Sequence, residues 1–199
     1  MQENDVFILA ERTFVGVVQQ IQPEQLTLHL PEWFELGRSQ DRSTLTLRDI
    51  LNYHAYDTAW IPDSFAGKTI ADVGSKYDGD LLGADPLAAY QRYSDAAISA
   101  ITQHYDPERT VHFTYGDFPA REAITHPTSF RVFRAYDFAK LIGVDRALPG
   151  ELVKSAYDLI APHADEWRHM GVYQAARPVA DDADAQAKLF ALVGRDPNW

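Results

Sequence analysis

Two stretches of the chain hold side chains suited to chemistry. LRDILNYHAYDTAW carries His54 and, one helical turn on, Asp57, while SFRVFRAYDFAKLIG carries Arg131, Arg134 and Asp137. Helical spacing puts Phe130, Arg134, Asp137, Phe138 and Leu141 on one stripe. It also sets His54 among Ile50, Leu51, Asp57, Thr58 and Ile61, so the imidazole points where apolar residues point. A guanidinium offers a planar fork of donors matched to carboxylate or phosphate. Arg131 and Arg134 beside His54 therefore read as a cationic mouth for a small anionic molecule. His54 and Asp57, approached by Asp137, read as the seed of a weak divalent-metal site. The plainer readings are a core histidine and an intrahelical Arg134–Asp137 pair, the latter worth about 0.2–0.5 kcal/mol on an exposed helix.

Other chemistries find less support in the sequence. Ser64 and Ser94 stand in no Gly-x-Ser-x-Gly elbow. Residues 68–85 lack the glycine signatures of phosphate loops, and Asp78, Asp80 and Asp85 lack the spacing of a calcium loop. His104 and His112, and His163 and His169 at a spacing unsuited to one helical face, read as surface or cap residues; Tyr53, Tyr56 and Tyr136 read as packing or homodimer residues. The absence of cysteine removes disulfides, thiolate ligands and a cysteine nucleophile, so thiol chemistry would need a bound small-molecule thiol. A net charge of -11 argues against nucleic acid as a partner. No apolar run approaches the roughly 20 residues that span a bilayer, and MQENDVFILAER is too acidic for a signal peptide. The expectation is a cytoplasmic protein away from the membrane.

The elements that must position these residues are mostly helical. With 199 residues, 46% of them hydrophobic, the chain is long enough for a single domain spanning 1–199. A first helix is predicted over 5–21 and is stopped by Pro23; 22–42 is a long connection. A second runs over 46–61, capped by Ser43, Thr44 or Thr46 and ended by Pro62 and Gly67. Residues 68–84 read as loop, and Asp85-Pro86 opens a third helix reaching about His104. Residues 110–115 are extended without an evident partner strand. The fourth pattern, 117–143, has Asp117 as its cap and Pro127 as a kink or restart, and shorter helices follow over 151–160 and 182–193. This order predicts an all-α four-helix bundle with C-terminal helical additions. Bundle sites are built from inward side chains on facing helices, which makes His54 and Arg134 natural partners.

The blocks LRDILNYHAYDTAW, GKTIADVGSKYDGDLLGADP, VHFTYGDFPAREAI, RAYDFAKLIGVDRALPGELV and LFALVGRDPNW resemble, in order over 45–199, those of the DinB-like superfamily. The nearest branch is similar to the mycothiol-dependent maleylpyruvate isomerase N-terminal-domain family. The resemblance implies a four-helix bundle that holds zinc or nickel on three side chains and uses the metal to activate a small-molecule thiol for isomerase or transferase chemistry. In that pattern His54 matches the first metal ligand. The acid and second histidine of the other ligand pair fall on Phe130 and Arg134, so two of three ligands are replaced; Asp137 is kept and Tyr136 stands for a tryptophan. Phenylalanine has no lone pair to give and arginine does not deprotonate. A unit positive charge about 4 Å from a dication costs roughly 8 kcal/mol at a dielectric near 20. Three readings follow: a metal site rebuilt as a small-anion pocket, a metal-dependent thiol transferase or isomerase, and a dimerisation module without a ligand.

Overall fold

The computed structural model describes residues 1–36 and 44–196, an all-α, multi-helix bundle with one β-hairpin. Its helices are α1 (Glu3–Val18), α2 (Leu47–Phe65), α3 (Ile70–Val73), α4 (Pro86–His104), α5 (Ala120–Ala123), α6 (Thr125–Ile142), α7 (Gly150–Ile160), α8 (Ala164–His169) and α9 (Ala185–Leu192). The hairpin strands β1 (Thr110–Phe113) and β2 (Gly116–Pro119) lie between α4 and α5. Local chemistry accounts for the starts. Thr46 Oγ1 accepts from Asp49 N while the Asp49 carboxylate accepts from Thr46 N, a reciprocal cap for α2. Asp85 accepts from Ala88 N and Pro86 occupies the first turn of α4. Gly143, with φ of 78°, closes α6 in a left-handed conformation that glycine adopts without steric cost.

Three expectations need correction. Helix α2 does not stop at Pro62 but runs through it to Phe65; one lost hydrogen bond near the helix end is offset by burying Ile61 and Phe65. Asp117 does not cap a helix. It lies on β2, which pairs antiparallel with β1, and its carboxylate lies 2.8 Å from His112 Nδ1 across the hairpin. The extended segment thus does have a partner, and the helical pattern begins only at Ala120. It restarts at Thr125 because Pro127, tolerated in a first turn, lies just inside α6. Ser43, residues 37–42 of the expected connection and Pro197–Trp199 lie outside the described residues.

Helix α1 packs most extensively on α6, and α2 on α4, with α1 also crossing α4; α2 and α6 approach one another less closely. The seam between α2 and α6 is therefore spanned by long side chains rather than by close backbone packing. Apolar clusters fill the rest, one around Phe14, Leu51, Tyr90 and Phe138, another joining α1 and α6 to α7 and α9 through Val6, Val132, Leu152 and Phe190.

The four long helices meet at a polar centre. Arg131 Nε donates to Glu11 Oε2 at 2.6 Å, Nη2 to Thr58 Oγ1 at 2.7 Å and Nη1 to the Pro127 carbonyl at 3.2 Å. Tyr90 Oη donates to Glu11 Oε1 at 3.1 Å and lies 3.3 Å from Thr58 Oγ1. One residue comes from each of α6, α1, α2 and α4, and all four are fully buried. Removing one member of a buried ion pair costs about 3–5 kcal/mol, whereas replacing both with apolar groups is often near neutral. Glu11→Leu is expected to lose stability on that scale in urea unfolding. Glu11→Leu with Arg131→Met is expected to regain most of it, and equal losses in the single and double variants would contradict the assignment.

Candidate functional site

His54 is 1% exposed and is walled by Phe14, Phe138 and Tyr53, whose ring centroids lie 5.3, 6.2 and 5.8 Å away. Its Nε2 accepts from Arg134 Nε at 3.2 Å, so the proton of a neutral ring is on Nδ1, which is buried without a partner. Burial, then the charges of Arg134 and Arg131, hold the imidazole well below the usual histidine range. The ring is neutral at physiological pH. Arg134 Nη1 donates to Asp137 Oδ2 at 2.7 Å, and its guanidinium lies 4.8 Å from the Phe34 ring centroid. Asp137 also accepts from Arg195, at 2.6 Å on Oδ1 and 3.1 Å on Oδ2, with Arg195 spread over Phe133. The result is a file, His54–Arg134–Asp137–Arg195, with buried His54 and Asp137 and half-buried arginines, in which two guanidiniums share one carboxylate.

The expected residues divide. His54, Arg134 and Asp137 come together as the bundle logic required. Arg131 does not join them at a mouth: it is 0% exposed and committed to Glu11. Phe130, expected inward on the stripe, is 45% exposed instead. Helix α6 is rotated so that the charge of Arg131, neutralised by Glu11, faces the core and the phenylalanine faces out. Asp57 does not pair with His54; it lines a separate cavity. Tyr136 packs on Phe190 as a core residue, whereas Tyr53 and Tyr56 line that cavity. His112 pairs with Asp117, His163 stacks on Trp167 and His169 is exposed. Arg195 and Glu11 were missed. A signal for Glu11 exists in its place between Phe7 and Phe14, within the apolar stripe of the first helix.

These side chains do not fit the zinc or nickel of the resemblance. Among the described residues no three of His, Asp and Glu gather closely enough to hold a metal ion. The one histidine nitrogen directed across the seam already accepts from a guanidinium, and a dication there would face that fixed positive charge.

Two cavities flank Phe130. One, of about 290 Å³, is lined by Ser129, Phe130, Phe133, Arg134, Tyr173 and Arg195. The other, of about 160 Å³, lies between α2, α6 and the hairpin and is walled by Tyr53, Tyr56, Trp60, Phe113, Tyr115 and Phe130, with Asp57 among its lining. Asp57 is half-buried and makes no hydrogen bond or ion pair with the described residues. Burial pushes its carboxyl up to about 6, against the lowering influence of Arg131 and Arg134. In the same cavity His126, hydrogen-bonded to Tyr115 Oη at 3.0 Å, is lowered to about 4 by burial and by His163.

Comparison of the chain with protein-family models, curated proteins and solved structures finds no match.

The two titrating groups act with opposite signs. Asp57, with its folded pKa raised, adds stability that is present below its ordinary pKa and is lost as pH rises through about 6. His126, with its folded pKa depressed, adds stability that is present above its ordinary pKa and is lost as pH falls through about 4. Asp57→Asn isolates the first. Relative to the parent it is expected to be about 1–2 kcal/mol more stable at neutral pH, allowing for screening at a half-open site, and no more stable below about pH 4. Urea midpoints at both pH values test this, and a pH-independent difference would contradict it.

Proposed function

We propose that the protein is a DinB-like four-helix bundle, with α1, α2, α4 and α6 as its four helices, whose metal position is rebuilt as a metal-free pocket for a small anionic molecule. The observation that carries the reading is the 3.2 Å contact between Arg134 Nε and His54 Nε2. Two positions that the motif assigns to metal ligands meet across the seam, and one of them is a cation. Arg195 takes the role that the sequence suggested for Arg131.

The electrostatics favour an anion. Arg134 and Arg195 together carry one more positive charge than Asp137 cancels, and Arg134 Nη2 and Arg195 Nε have no hydrogen-bond partner among the described residues. Both arginines line the larger cavity, where Ser129 and Tyr173 add hydroxyl groups. Glu35 also lines it, but is exposed, so water and salt screen its charge. A carboxylate or phosphate would accept from the free N–H groups in a partly desolvated site, where charge-assisted bonds are strong. The alternative of a metal-dependent thiol transferase or isomerase requires Arg134 to leave His54 and Asp57 to turn from its own cavity. The ligand-free dimerisation reading would use the exposed Tyr53, Tyr115 and Phe130 as an interface.

Protein purified without an affinity tag is expected to contain no stoichiometric zinc or nickel by elemental analysis. In a thermal-shift series, small carboxylates or inorganic phosphate are expected to raise the melting temperature of the parent and not of Arg134→Gln. Stoichiometric metal that is lost in His54→Ala would overturn the reading, as would anion shifts that survive Arg134→Gln.

A further inference from the structure

The smaller cavity has a different chemistry from the anion pocket and does not depend on it. Its walls are aromatic: Tyr56 and Trp60 lie 5.9 Å apart on α2, and Phe113 and Tyr115 are stacked at 5.2 Å on the hairpin. Tyr53, Ile70, Tyr115 and Phe130, which are 52%, 37%, 61% and 45% exposed, all line it, so a large share of the apolar surface exposed by the described residues gathers at one place. Such a gathering marks a binding site more often than chance exposure. Trp60 Nε1 is buried without an acceptor. The only carboxylate among the lining residues is Asp57, and it is unpaired.

We infer that this cavity binds a small organic cation of the methylated or alkylated ammonium class, held by the Asp57 carboxylate and the surrounding aromatic rings. The faces of tyrosine, tryptophan and phenylalanine carry negative potential that attracts cations, and an alkylated ammonium is weakly hydrated and presents apolar C–H surface to them. A half-buried carboxylate with no partner supplies the countercharge that rings alone do not. Arg131, which also lines the cavity, is ion-paired with Glu11 at 2.6 Å, and Arg134 bonds Asp137 at 2.7 Å. Both attract Asp57 from a distance, but neither bonds it, so its carboxylate stays open to a further cation. The net charge of -11 raises the local concentration of cations further. A cation beside Asp57 would favour its ionised form, against the burial that raises its carboxyl.

Tetramethylammonium chloride is the probe, followed by intrinsic tryptophan fluorescence at neutral pH and constant ionic strength, with Trp60→Phe identifying the reporter. A saturable signal is expected in the parent, with binding at least tenfold weaker in Asp57→Asn, a variant expected to keep its fold. The neutral isostere neopentane, supplied at its solubility limit, and tert-butanol are expected to give no comparable signal. Tetramethylammonium is also expected to bind Arg134→Gln as it binds the parent, which separates this site from the anion pocket. Absence of saturable binding in the parent, equal affinity in Asp57→Asn, or equal binding of tert-butanol would each overturn the assignment.

Discussion

The ion pair between Glu11 and Arg131 sets the terms for the rest of the bundle. Two charges with no access to water are tolerable only when their polar atoms find partners, and here Thr58, Tyr90 and the Pro127 carbonyl join the pair so that each nitrogen of Arg131 and each carboxylate oxygen of Glu11 makes a hydrogen bond. Because those partners come from all four long helices, the pair fixes their rotation as well as their proximity. Turning α6 so that Arg131 points inward turns Phe130 outward. That rotation separates the two cavities and leaves Arg134 facing His54.

The same constraint explains what the sequence revealed and what it concealed. Caps and stops are local, so the start of α4 at Asp85-Pro86 and the close of α6 at Gly143 were legible. The partnership of His54 with Arg134 was legible too, because helical periodicity fixed both faces. The identity of the inward arginine was not. Arg131 and Arg134 lie within one turn, and choosing between them depends on Glu11, a residue 120 positions away in sequence that pairs with only one of them. The hairpin was hidden for a similar reason: β2 is four residues long with a glycine and a proline at its ends, and becomes a strand only through pairing with β1. Arg195 stood within a block quoted for its resemblance, but nothing in the sequence gave it Asp137 as a partner.

The seam between α2 and α6, where the proposed reading puts the metal position, is crossed by a guanidinium that would repel a metal ion. A guanidinium in that place supplies permanent positive charge without coordination chemistry, so it can organise Asp137 and Arg195 while keeping His54 neutral. On the other side of Phe130 the pattern inverts, with one carboxylate amid aromatic rings. On the proposed reading the two cavities favour opposite charges, and the Phe130 ring that α6 turns outward lies between them.

The central claim is that His54 is a neutral acceptor for Arg134 rather than a metal ligand. Nitrogen-15 NMR of the His54 imidazole, followed between about pH 5 and 8, where an ordinary histidine titrates, and during addition of zinc, tests it most directly. The expected spectrum has Nε2 unprotonated and hydrogen-bonded and Nδ1 protonated, unchanged by pH across that range and by one equivalent of zinc. A ring that titrates near the ordinary histidine value, or whose Nε2 resonance shifts stoichiometrically with zinc, would contradict it.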